Sequence, residues 1–178
     1  MGAFKGGAKL QAALDKVAAN ASKAATLSVG FLEGSTYPDG TSLPMVAAIQ
    51  EFGAPKAHIP PRPYFRNMIA ANSPEWPAAV GDLLKANDFD AKKTLGQAGE
   101  AIKSQLQRSI IDTNEPALSP VTVMLRGMKS NDQKLVVNRT VVEQARARVE
   151  AGLTNYGASE KVLDETGHMI NSVDFTVK

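Results

Sequence analysis

Apolar residues recur every three to four positions over several stretches of the chain, and each stretch predicts a helix with one buried face. Leu10, Ala13, Leu14, Val17 and Ala18 predict an amphipathic helix over about residues 8–22. Val46, Ala47, Ile49 and Gln50 belong to a shorter helix that stops near Gly53, a natural C-terminal residue. Tyr64, Phe65, Met68 and Ile69 mark a third, with Pro63 in its first turn, where a missing N–H costs nothing. Asn72-Ser73-Pro74 reads as a break and restart with Ser73 as N-cap, after which Trp76, Val80, Leu83 and Leu84 continue the stripe. Asp90 is placed to cap a longer helix whose buried face is Leu95, Ala98, Ile102, Leu106 and Ile110. Beyond Asp112 the pattern weakens. Leu118-Ser119-Pro120 reads as loop, and Val142, Ala145, Val149 and Leu153 as one more helix.

Strand signals are fewer. Ala25–Leu32 is a short β-prone run, and Val173–Val177 alternates with period two, placing Val173, Phe175 and Val177 on one face. Lys134–Asn138 reads as a possible short strand. Tyr37-Pro38-Asp39-Gly40 is a turn, since Pro fixes φ and Gly tolerates positive φ. Ala54–Pro63 carries four prolines, which exclude helix and central strand and predict an extended, polyproline-like arm. No repeat or low-complexity segment interrupts this order. The expected class is α+β: several helices packed on a small, mostly antiparallel sheet, with the Pro-rich arm extended. A chain of 178 residues fits a single domain over 1–178, with an excursion at about 125–160.

Composition narrows the chemistry. There is no cysteine, which removes disulfides, Cys–zinc sites and thiolate nucleophiles together. The net charge of +2 is evenly spread: eight basic and seven acidic residues up to Phe89, twelve and eleven after it. Bulk charge therefore does not argue for nucleic acid. Met1–Gly6 lacks the apolar run of a signal peptide, and no uncharged apolar run approaches the ~18 residues of a membrane span, so a soluble chain without membrane partners is expected. His58 and His168 stand alone, without carboxylates or histidines at metal-ligand spacing, and neither nucleotide-binding glycine fingerprint nor a Gly-x-Ser-x-Gly elbow occurs. Asp164-Glu165-Thr166-Gly167 resembles an aspartic-protease loop only superficially. That chemistry needs a second such aspartate, and the plainer reading is a turn or cap before the last strand. These residues nominate no catalytic, cofactor-binding or metal-ligating group. From Leu125 to Arg148, six basic residues (Arg126, Lys129, Lys134, Arg139, Arg146, Arg148) face only Asp132 and Glu143. They are candidate contacts to DNA phosphates or an acidic partner, or else a solvated face. No aromatic residue in this stretch offers a stacking platform.

Three segments recur in a known order. Tyr37-Pro38-Asp39-Gly40-Thr41-Ser42 leads to Val46-Ala47-Ala48-Ile49-Gln50-Glu51-Phe52-Gly53. Ile59-Pro60-Pro61-Arg62-Pro63-Tyr64-Phe65-Arg66 follows, and Leu163–Val173 (LDETGHMINSV) closes the series, with Leu118–Thr122 a weaker fourth segment. Together they resemble the tail-completion proteins of long-tailed phages, the lambda-like and virion morphogenesis group. There a helix ending in Glu-Phe/Tyr-Gly precedes a Pro-Arg-Pro-Phe arm, and a Leu-x-Asp-Thr-Gly motif lies near the C-terminus. Tyr64 stands where Phe is usual, and Glu165 is inserted or substituted within the usual Asp-Thr-Gly. The resemblance implies a structural virion protein of the neck–tail junction, assembled in the host cytoplasm, without enzymatic activity or cofactor. Its implied partners are itself, as a ring of about six copies, neighbouring neck, tail-terminator or tail-tube proteins, and DNA passing through the channel without sequence-specific binding. A tail terminator and a small basic DNA-binding protein are the alternatives.

Physical reasoning adds interface candidates. A pre-organised proline arm docks with little ordering cost. Arg62 and Arg66, four apart, suit bidentate pairing with a neighbour's carboxylate, and Tyr64 and Phe65 suit aromatic anchors. Glu51, Phe52, Ile59, Pro60, Pro61 and Pro63 complete that surface, and the last strand, through Val173 and Phe175, could extend a neighbour's sheet. The competing reading keeps Tyr64 and Phe65 in the subunit's own core and pairs Arg62 with its own Glu51.

Overall fold

In chain order the elements are α1 (Gly7–Ala21), β1 (Leu27–Phe31), α2 (Leu43–Phe52), one 3-10 turn (Pro55–Ala57), α3 (Tyr64–Asn72), α4 (Trp76–Ala86), α5 (Ala91–Asp112), α6 (Pro120–Asn131), α7 (Arg139–Glu150), α8 (His168–Asn171) and β2 (Val173–Val177). The structure is a computed structural model that describes residues 7–21, 25–153, 159–163 and 167–178. The class is α+β: helices packed on a small two-stranded antiparallel sheet. Among the described residues no helix is long and apolar enough to cross a membrane.

The longest stripe becomes the spine. Asp90 caps α5 as its position predicts, its carboxylate accepting from the Lys93 N–H at 3.0 Å. The buried face runs through Thr94, Ala98, Gly99, Leu106 and Ile110, while Leu95 sits at its margin, half-buried. β1 and β2 lie against this helix. They pair in register from Leu27↔Val177 to Phe31↔Val173. Leu27, Val29 and Phe31 thus share a face with Val177, Phe175 and Val173. Phe175 reaches α5 at Gly99, where its ring fills the space a Cβ would occupy. The main core gathers around these elements: Ala47, Tyr64, Met68, Leu106, Ile110, Val162, Leu163, Met169 and Val173.

A second, smaller core lies within the α6–α7 hairpin, built from Met124, Met128, Val141 and Ala145 with Leu135 packed beside them. Here three sequence expectations need correcting. Leu118-Ser119-Pro120 is not simply loop: Ser119 accepts from the Thr122 N–H at 3.1 Å and Pro120 opens α6, a Ser-Pro start signal followed by helical spacing at Val121, Met124, Leu125 and Met128. Lys134–Asn138 is not a strand in the subunit: among the described residues no strand lies beside it. In α7 the buried residue is Val141 rather than Val142, and Leu153 lies exposed beyond the helix end.

Three smaller departures follow from local chemistry. The second restart comes at Trp76 with Glu75 at its N-cap, and Ser73 ends α3 in helical conformation. The proline arm is only partly extended: Pro55–Ala57 winds one 3-10 turn, closed by an Ala54↔Ile59 bridge, and Pro60–Pro63 follows without regular structure. In α1 the stripe residues Ala13, Leu14 and Ala18 are exposed. That helix touches the body where Asn20 donates to the Asp88 carbonyl at 3.2 Å.

The Gly99 contact gives a prediction with an unusual sign. Glycine-to-alanine inside a helix ordinarily stabilises by roughly 1 kcal/mol. Gly99→Ala should instead destabilise by about 1–3 kcal/mol, because the methyl overpacks against Phe175. Urea unfolding of the two proteins decides it, and a gain in stability would contradict the packing described.

Candidate assembly interface

The arm is fixed by the end of the helix before it. Gln50 and Glu51 are the polar residues of α2, and both turn toward the arm. Glu51 is 4% exposed. Its carboxylate accepts from the backbone N–H of Phe65 at 2.9 Å and of Arg66 at 3.3 Å, in the first turn of α3. Pro63, the N-cap residue of α3, carries no side-chain acceptor, so a residue from α2 caps α3 at long range. A carboxylate there also meets the positive end of the helix dipole. Arg66 completes the site, donating from Nε to Glu51 Oε1 at 2.7 Å and from Nη2 to the Glu51 carbonyl at 3.1 Å.

Arg62 is equally buried, at 4% exposure, and does not pair with Glu51. Its backbone N–H donates to the Gln50 carbonyl at 2.7 Å and its Nη1 to the Gln50 side-chain oxygen at 3.1 Å. Its Nε donates to the carbonyl of Pro116 at 3.1 Å. Burial, helped by the charge of Arg126, pulls its pKa below the ordinary guanidinium value. The chain then turns sharply: the Tyr64 N–H donates back to the Arg62 carbonyl at 2.7 Å, with Pro63 at φ −77° and ψ 58°, an inverse γ-turn. Tyr64 drops into the core, where its hydroxyl donates to the Ala47 carbonyl at 3.1 Å and its carbonyl accepts from Ser109 Oγ at 2.7 Å. Burial first, then the Glu51 carboxylate, holds that hydroxyl protonated far above the usual phenol range.

Gly53 makes this return possible. Its φ is +76°, and a Cβ there would lie 2.8 Å from the Pro61 nitrogen and 2.9 Å from the Ile59 carbonyl oxygen.

The interface candidates therefore separate. Glu51, Arg62, Tyr64 and Val173 are buried within the subunit, and the expectation that they grip a neighbour is corrected: each is held by its own chain's core or backbone. Phe65 packs on the main core and Phe175 on Gly99, while Ile59 and Pro63 are half-buried. Arg66 is partly exposed but engaged by Glu51. Phe52, Pro60 and Pro61 face outward. Phe52 is 64% exposed with the Arg66 guanidinium 5.1 Å above its ring, and Met45, on the same side of α2, is 52% exposed. Ala48 lies between them, also exposed. The sequence missed Gln50, Gly53 and Pro116 as parts of this construction; an uncapped helix start beside a Gln-Glu-Phe-Gly helix end was the signal for the first two.

The basic stretch also divides. Arg126 is turned inward, donating from Nη1 to the carbonyls of Ser159 at 3.2 Å and Lys161 at 2.6 Å, and from Nη2 to that of Val162 at 3.3 Å. Arg139 pairs with Glu143 at 3.0 Å along α7, and Arg148 is half-buried with contacts of its own. Lys129, Lys134 and Arg146 remain on the open surface. Arg126, Lys129 and His168 border a cleft of about 590 Å³ beside the Tyr37 turn. Its Asp39 carboxylate is engaged by its own turn: the Thr41 N–H, at 3.0 Å, holds that carboxyl below the usual range, with Lys129 adding to the effect. Asp164, Glu165 and Thr166 lie outside the described residues, and Gly167, at φ +73°, opens α8. Among the described residues no group of three or more His, Asp or Glu side chains is arranged to hold a metal ion.

Comparison of the chain with protein-family models, with curated proteins and with solved structures finds no match in any of the three.

Removing the Glu51 carboxylate leaves two helix N–H groups and the Arg66 Nε without their acceptor. Glu51→Ala should cost about 2–4 kcal/mol. Arg66→Ala, which deletes a half-exposed partner, should cost about 1 kcal/mol. Denaturant midpoints of the two variants check the ranking, and equal costs would mean that the capping bonds to α3 carry none of the difference.

Proposed function

We propose that the chain is a structural protein of a tailed-phage virion, acting at the neck–tail junction by self-assembly into a ring and performing no bond-making chemistry. The order of the Glu-Phe-Gly, Pro-Arg-Pro and Leu-x-Asp-type segments supports the virion assignment. Six copies, contact with neck or tail-tube neighbours, and passage of DNA through the ring without sequence-specific binding come with that resemblance. Assembly would take place in the host cytoplasm.

The single observation that carries the assembly reading is the outward face of α2. Met45, Ala48 and Phe52 lie along it, and the two polar residues of the helix are both turned inward. A helix apolar on its outer as well as its inner side is the pattern of an element that is buried in the assembled state. The proline arm serves this reading differently from a limb that reaches out. It is a brace that holds α2 in place with its apolar side presented.

The charged side chains support the same reading by their use. Glu51, Arg62 and Arg126 satisfy backbone N–H and carbonyl groups of loops and helix ends, so their role is to fix shape.

Phe52→Glu should abolish assembly while leaving the subunit folded, since the residue is exposed and loses only a surface cation–π contact of about 0.5–1 kcal/mol. Native mass measurement of wild type and variant, with and without purified tail components, reads the result. In particles carrying the variant, heads and tails should fail to join. A wild-type chain that stays monomeric in every one of these mixtures would overturn the proposal.

A further inference from the structure

The two-stranded sheet is incomplete in one specific way. Thr26 and Lys178 exchange both backbone hydrogen bonds, at 2.8 and 3.0 Å. With the register Ser28↔Thr176 and Gly30↔Asp174, the even-numbered residues therefore form the ladder. The backbone N–H and C=O groups of Val173, Phe175 and Val177 point the other way, out of the free edge of β2; the Asp174 carboxylate meets the Phe175 N–H, and none of the described segments forms a ladder with them. The opposite edge, along β1, is crowded near its end by α3: the Tyr64 ring lies edge-on to Phe31 at 6.5 Å, and Phe65 stands against Gly30. Of the usual edge protections β2 carries one charge, Asp174. Its sequence, VDFTV, holds no lysine, no proline and no bulge.

Elsewhere the same chain exposes a strand without a sheet. Lys134–Asn138 (KLVVN) has the composition of a strand, yet runs as unpaired coil between α6 and α7. Val136 is 76% exposed, the most exposed of the large apolar residues among those described, and Val137 is 48% exposed. The segment is not loose at its ends. Leu135 packs on the α6–α7 core, the Leu135 N–H donates to the Asp132 carbonyl at 2.9 Å, and the Asn138 side chain caps α7. It is presented, pre-organised, by its own small lobe. Asp174, the charged residue of β2, is already paired with Lys103 of its own chain at 3.1 Å, so the added strand is held by backbone bonds and apolar contact rather than by charge.

We infer that Lys134–Asn138 of one copy adds as a third strand to the free β2 edge of the next copy. The inference rests on the ring proposed above and names a contact that closes it. Both segments are five residues long, so in antiparallel pairing Val136 lies opposite Phe175; the Lys134 N–H and the Asn138 carbonyl are bonded within their own chain, which leaves the Lys134 carbonyl, both Val136 backbone groups and the Asn138 N–H to make the contact. The contact is heterologous, joining two different patches of the same chain, which is the arrangement a closed ring requires. It gives Val136 and Val137 neighbours and supplies partners to the outward backbone groups of Val173, Phe175 and Val177.

The chain has no cysteine, so two singly substituted proteins test the contact directly. Five residues on five, paired antiparallel, set Lys134 opposite Val177, so Lys134→Cys, carrying a mass tag, is mixed with untagged Val177→Cys and oxidised under assembly conditions. A disulfide between the two proteins can only join separate copies, and it is expected to dominate over either protein's self-dimer. In parallel, Val136→Asp and Val177→Pro are examined by native mass and thermal melting. The Val177 N–H takes no part in the ladder, so proline there removes only the outward donor. Both variants should lose the assembly and keep the wild-type melting temperature, whereas Thr176→Pro, which breaks a ladder bond, should melt lower. An unchanged ring in either variant, or the absence of the mixed disulfide within a ring that does form, overturns this contact and leaves the ring reading standing. A wild-type chain that remains monomeric with every neck and tail component overturns both.

Discussion

The Glu51 carboxylate is the point on which the first half of the molecule turns. It sits at the end of α2, is removed from solvent, and accepts from the first turn of α3 and from the Arg66 guanidinium. A buried carboxylate is costly unless its oxygens are fully engaged. Here engagement requires that the chain leave α2, loop through Ala54–Ile59 and return with α3 pointing its N-terminus at the helix it has just left. The conformation of Gly53, the bridge from Ala54 to Ile59 and the inverse γ-turn at Pro63 are all conditions for that return. Each proline of the arm restricts the unfolded chain as well, so less entropy is lost in making the loop.

A second device repeats across the fold. Arg62 and Arg126 each direct a planar guanidinium at backbone carbonyls of segments that have no regular structure: Pro116 in one case, and Ser159, Lys161 and Val162 in the other. Carbonyls outside helices and sheets need donors when they approach the interior. The fork of an arginine supplies several from one side chain, which a lysine ammonium cannot do in a fixed plane. The carbonyls they engage lie before α6 and after α7, so the two arginines help fasten the α6–α7 lobe, with its own small core, to the main body. The same use explains why the basic excess between Arg126 and Arg148 is a poor guide to a phosphate-binding face: three of its six charges are turned inward, paired along the helix or half-buried.

What could be read in the sequence was set by how local the determining interaction is. The α5 stripe with its Asp90 cap and the period-two run of β2 depend on residues a few positions apart, and both appear where the pattern places them. The start of α6 was equally local, but three residues, Leu118-Ser119-Pro120, serve both a loop and a helix start, and the loop reading ignored the cap. The fate of the arm was not local. Arg62 and Glu51 were both recognisable as partners in an ion pair, yet Glu51 selects Arg66 because the first turn of α3 offers two N–H groups in addition to the guanidinium. Arg62 is carried to Pro116, fifty-four positions away, a contact that no spacing rule contains. The strand expected at Lys134–Asn138 fails for a related reason. Strand propensity reports fitness for a pleated, half-buried surface, and it is realised only when an edge lies alongside.

That last point bears on the sheet itself. Two strands joined by five residue pairs are marginal alone, and here their stability comes from α5 beneath them, with Phe175 seated on Gly99 and Val173 in the core. Packing on one face secures the register but does nothing for the in-plane hydrogen bonds of the edges. The side chains that anchor β2, at Val173 and Phe175, belong to the same residues whose backbone groups point outward. Burying the face and leaving the edge unpaired are therefore two consequences of one register. A one-residue slip that turned those backbone groups toward β1 would also turn Phe175 away from α5. The core fixes the register, and the register leaves the edge open.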